Sequence, residues 1–159
     1  MKDEEFILDR SLTAKQRTWR SKHPDWISDH FYMGEFIYSA VAVERGLDNT
    51  PPPEAQKAIR NLVKKLLEPL RVYTNDMAPM HISSGYRSEE LNRLVGGVEN
   101  SQHLIGEAVD IYTFESCCLL DALQESRLNF DQAIYYRRRG FMHLSLKLQG
   151  KNRRQVIIK

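Results

Sequence analysis

Ser101-Gln102-His103-Leu104-Ile105-Gly106-Glu107-Ala108-Val109-Asp110 puts an imidazole and a carboxylate seven residues apart, on either side of a glycine. The residues from Ala108 to Tyr112 read as a strand, while Gly96-Gly97 and Glu99-Asn100-Ser101 before them read as loop. A second imidazole, His143, falls in the last hairpin of the chain. Imidazole nitrogen and carboxylate oxygen suit zinc, and three protein ligands leave a fourth position for water. Such an ion brings the pKa of bound water toward about 7 and polarises a carbonyl, which allows a peptide bond to be attacked at neutral pH. On spacing alone, a structural role for the His–Asp pair is the commoner outcome.

Working outward, Met80 to Ser84 predicts a strand running into a turn at Gly85, and Ser88 caps a short helix beginning Glu89-Glu90-Leu91. Upstream, Phe36, Ile37, Ala40 and Val41 recur with helical spacing, predicting one helix over 35–45 stopped by Gly46. Thr50-Pro51-Pro52-Pro53 reads as cap and lead-in turn of a longer helix. Its apolar stripe is Ala55, Ile59, Leu62, Val63, Leu66, Leu67 and Leu70. Downstream come a helix over 116–125, strands over 130–136 and 141–147, a four-residue turn Arg137-Arg138-Arg139-Gly140, and an edge strand within 154–158. Helices first, then strands with a helix among them, predict an α+β fold with a small antiparallel sheet flanked by helices.

The chain has 159 residues, 42% apolar and 28% charged, which suits a single domain over 1–159. Residues 1–30, with Trp19 and Trp26, are expected to form short helical pieces packed on that body. A net charge of +2 does not point to nucleic acid. Arg137-Arg138-Arg139 reads either as a solvated hairpin tip or as a docking point for an anionic polymer such as a cell wall. Met1-Lys2-Asp3-Glu4-Glu5, followed only by Phe6-Ile7-Leu8, does not have the form of a secretory signal, and no stretch is long enough to span a membrane. A soluble, cytoplasmically made monomer is therefore expected. Cys117 and Cys118 are adjacent, so they read as buried thiols on a helix rather than as a disulfide.

Beyond the spacing, an ordered text surrounds these residues: Ser84-Gly85-Tyr86-Arg87-Ser88, Leu91-Asn92, Val95-Gly96-Gly97, Ser101-Gln102-His103, Gly106, Ala108-Val109-Asp110-Ile111, Asp131-Gln132 and Phe141-Met142-His143-Leu144-Ser145. It resembles the M15 peptidases, the zinc D,D-carboxypeptidase and endolysin-type group, over about residues 31 to 146. The SxHxxGxAxD pattern is met in full. The resemblance implies the Hedgehog/D,D-peptidase fold, a Zn2+ held by His103, Asp110 and His143, and hydrolysis of stem-peptide amides in peptidoglycan. It makes Arg87 the arginine beside the substrate, stabilising an oxyanion or holding a carboxylate.

Other roles are open in the sequence. Ser101 and Gln102 contact substrate or order the His103 loop; Tyr86 lines a groove or packs in the core; Asp131 and Gln132 orient a ligand or finish a strand. The general base is not in its family positions. Where related peptidases carry a glutamate, this chain has Gly140 in one pattern and Tyr136 in the other. A phenol with an ordinary pKa near 10 is a poor base, though it can donate to an oxyanion. Tyr136 and Asp131 remain the catalytic candidates, with Glu107 the other nearby acid. Two functions follow: a zinc peptidase reaching the wall after lysis, through a holin or by a noncanonical exporter, or a zinc-fold module that binds wall peptide or a protein without turnover.

Overall fold

In the computed structural model, residues 13–14, 18, 25–75, 78–113 and 116–159 are described, with side chains of 116 and 117 excepted. The expectation for 1–30 falls mostly outside them. Of its described part, Ile27 and Phe31 are buried, while Trp26 is exposed.

The helix expected over 35–45 is two helices, α1 (Met33–Ile37) and α2 (Ala40–Arg45). Tyr38 and Ser39 take extended ψ values, and the Ser39 hydroxyl accepts from Ala42 N, so α2 begins with its own cap. Gly46, at φ 67°, ends α2 as predicted. Helix α3 (Pro53–Leu62) starts at Pro53 with Pro52 as an N-cap that offers no side-chain bond, so Thr50 is not the cap. It continues through a π-helical turn, Val63–Leu67, into α4 (Glu68–Tyr73). Glu68 N bonds Val63 O in the wide turn, immediately before Pro69, which has no N–H to continue the normal ladder. Every residue of the predicted stripe is buried.

Strand β1 (His81–Ser84), helix α5 (Glu89–Leu94), a 3-10 turn (Gln102–Ile105), β2 (Ala108–Tyr112), α6 (Ser116–Glu125), β3 (Gln132–Tyr136), β4 (Phe141–Ser145) and β5 (Gln155–Ile158) complete the chain. The sheet runs β1-β2-β4-β3-β5. The first four strands pair antiparallel; β5 joins β3 in parallel, so the antiparallel expectation fails at that edge. β4 ends beside the start of β3, and loop 146–154 passes across that end, so β5 sets off in the same direction as β3.

Alternation gives the sheet two different faces. Val109, Ile111, Ala133, Met142 and Leu144 join Ile59, Leu62, Leu66, Leu70, Leu119 and Leu123 in one apolar core beneath the helices. Asp110, Tyr112, Ile134, Tyr136, Phe141 and His143 share the other face. Cys118 is exposed, contrary to the buried thiol expected there. No helix among the described residues is long and apolar enough to cross a membrane.

Candidate metal centre

Asp110 pairs with His143 across β2 and β4, which sets both side chains in one row on the same face. His103 comes from the 3-10 turn. Ser101 caps that turn, its hydroxyl accepting from His103 N at 3.3 Å, and Gly106 closes it at φ 77°. A Cβ on Gly106 would lie 2.4 Å from Ala55 O, so this glycine serves both the backbone conformation and the contact with α3.

The ligand atoms of His103, Asp110 and His143 all lie within 4.8 Å of one another. His103 Nδ1 is 2.6 Å from Gly85 O. A carbonyl only accepts, so Nδ1 carries the proton and Nε2 of the neutral ring is a lone pair. His103 is 3% exposed, and burial keeps its pKa below the ordinary imidazole value despite Asp110. That lone pair faces Asp110 Oδ1 at 3.3 Å, and His143 Nδ1 meets the same oxygen at 3.0 Å. A neutral nitrogen lone pair against an anionic oxygen is repulsive unless a cation lies at their convergence. The two-nitrogen, one-oxygen set therefore fits a divalent ion of the zinc type.

The second Asp110 oxygen is held by Arg87 Nη2 at 3.1 Å, and Arg87 Nε donates to Ser84 Oγ at 3.0 Å. Burial works against the Asp110 anion, but its contacts with both histidines hold its pKa well below the usual carboxylate range. Arg87 thus positions the carboxylate, a part not read from the sequence. A bulge in β1, where Ile82 and Ser84 face consecutive residues of β2, turns Ser84 toward this row.

The remaining candidates divide. Tyr86 is buried in the apolar core, so its ring does not line a groove. Gln102 Nε2 donates to Asp131 Oδ2 at 3.1 Å and lies 3.4 Å from Glu107 Oε2, bonds that brace the turn. Asp131 is fully buried, and its carboxylate is bound by Arg153 Nη2 at 2.6 Å, Arg153 N at 3.0 Å and Gln102. Burial raises its pKa, yet the Arg153 bonds win and pull it down to about 2. Both of its oxygens are thus engaged by Arg153, with Gln102 on one of them. Glu107 Oε1 accepts from Leu148 N at 2.9 Å and is likewise committed to the loop. Gln132 donates to Gln155 Oε1 at 2.8 Å, joining β3 to β5. Tyr136 lies on the same face as His143, one row further along, with its ring stacked on Phe141 at 4.5 Å. Of the other histidines, His30 is 2.6 Å from Glu68 and His81 lies on β1, while His23 is outside the described residues.

Sequence reasoning missed Asn49, buried between the lead-in and the site. Its amide donates to Ile37 O at 2.7 Å and Tyr86 O at 3.1 Å, and its carbonyl accepts from Ser88 N at 2.7 Å. Only its place between Gly46 and Pro51 hinted at a structural asparagine.

A family model described as Peptidase M15 matches residues 29–145, a span that contains all three candidate ligands and Arg87. No curated protein matches the chain.

Proposed function

The chain belongs to the peptidase M15 family, and on that footing we propose that it is a zinc peptidase hydrolysing stem-peptide amides of peptidoglycan, as a D,D-carboxypeptidase or an L-Ala-D-Glu-type endopeptidase. The observation that carries the reading is the convergence of His103 Nε2 and His143 Nδ1 on one oxygen of Asp110. Zinc bound there would supply Lewis acidity, polarising the scissile carbonyl and acidifying water. Gly85 O fixes the His103 tautomer that leaves Nε2 open, and Arg87 turns Asp110 so that Oδ1 faces the imidazoles. Arg87 still has N–H groups beyond its bonds to Ser84 and Asp110, and these are suited to a substrate carbonyl or carboxylate.

One observation favours a second reading, a module that binds wall peptide without turnover. Asp131 and Glu107, the two acids considered for the general base, are both bound into the surrounding loops. The test is to measure bound zinc and then muropeptide release with and without a chelator. Chelator-sensitive release that disappears in His143→Ala supports the peptidase. Stoichiometric zinc with no release from any wall peptide would leave the binding module standing.

A further inference from the structure

The row next to the metal row has its own chemistry. Tyr112 pairs with Phe141 across β2 and β4, and Tyr136 pairs with Phe141 across β3 and β4. All three share the face of Asp110 and His143. Their rings form a continuous strip, with centroids 5.7 Å apart for Tyr112–Phe141 and 4.5 Å for Tyr136–Phe141. Two cations cover the strip: Arg139 Cζ stands 5.0 Å from the Phe141 centroid and Lys159 Nζ 5.6 Å from that of Tyr136. Arg137 and Arg138 lie on the same turn as Arg139, exposed. Among the described residues none of these four cations is in an ion pair, whereas Arg60, Arg87, Lys147 and Arg153 each are.

A group of cationic side chains in no ion pair, held over aromatic faces beside a candidate reaction centre, is complementary to an anion. Successive rows on one face of a strand are about 7 Å apart, and an extended peptide advances the same distance in two residues. We propose that Arg139 and Lys159, on the Tyr112–Phe141–Tyr136 strip, form a subsite for a peptide carboxylate about two residues from the scissile amide. The position of that amide rests on the hydrolase reading; the recognition of the carboxylate does not. The carboxylate can be a free chain terminus or an acidic side chain, since both offer the same pair of oxygens. The guanidinium of Arg139 takes them in a fork, with Lys159 as a point charge alongside.

The experiment uses the full chain and one synthetic stem-type peptide in three forms: free acid, terminal amide and side-chain amide. Binding is measured by calorimetry and cleavage by chromatography. One amide is expected to weaken binding about five- to tenfold, and that form identifies the carboxylate recognised. R139Q and K159Q, both at exposed positions, should bring the free acid down to the affinity of that amide. For cleavage, R139Q should raise KM for the acid form and leave kcat unchanged. Equal binding of all three forms, or variants that still discriminate, overturns the subsite. Cleavage without discrimination removes the subsite and leaves the hydrolase; acid-dependent binding with no cleavage does the reverse.

Discussion

Arg87 is where the reading of a single side chain changes most. Its motif pointed to the substrate, but its guanidinium grips the Asp110 oxygen that faces away from the histidines. Losing such a partner of a metal ligand commonly costs 10- to 100-fold in metal affinity. Arg87→Ala should therefore weaken zinc binding by about that factor, measured by competition with a chromophoric chelator. Unchanged affinity with lost turnover would return Arg87 to a purely substrate-facing role. Asp131 is read through pH. Its pKa is lowered in the fold to about 2, below the ordinary carboxylate value, so its pairing stabilises the protein above the unfolded pKa. That contribution fades as pH falls from about 4 through about 2. Asp131→Asn should cost roughly 2 kcal/mol at neutral pH, with the gap to the parent closing across that acid range in denaturant titrations. A variant of parental stability with an altered pH–rate profile would instead restore Asp131 as a base.

At the scale of elements, the site depends on two close approaches. Gly106 combines a φ of 77° with a Cβ position 2.4 Å from Ala55 O, while Gly140, at φ 68°, opens on empty space. Gly140→Ala should cost about 1 kcal/mol from backbone strain alone, and Gly106→Ala distinctly more, because the 3-10 turn must lift off α3. Thermal melts of the two variants check the order; equal losses would mean that the contact with α3 yields easily. Asn49 ties the end of α1 to the turn before α5 by three bonds, two of them buried. These links are absent from any local pattern. Helical spacing could suggest one helix over 35–45, but the need for Ile37 O to meet Asn49 shows why the chain breaks there.

For the whole molecule, a ligand that binds only the folded state adds stability by mass action. At a zinc concentration about 100 times Kd the gain is about 2.7 kcal/mol, or roughly 5–10 °C in Tm for a chain of this size. His143→Ala should abolish most of that rise. A chain whose Tm ignores zinc and chelator alike would not hold the ion through these three residues. The sheet makes this assembly possible: one face feeds the core under α3, α4 and α6, and the other carries Asp110 and His143, two of the three candidate ligands, on alternate residues of the same strands.

The α+β class, the buried stripe of α3, the Ser88 cap and the three residues that converge as candidate ligands could all be read along the chain. Periodicity, capping chemistry and a dense motif are local properties, and local properties survive in one dimension. The partners of charged groups do not. Whether Asp131 meets a ligand or Arg153, whether Arg87 meets substrate or Asp110, and whether Tyr86 is groove or core depend on segments 22, 23 and 37 residues away closing on one another. The parallel edge made by β5 has the same origin, since pairing direction is set by where a loop returns, and the residues of the strand itself are compatible with either.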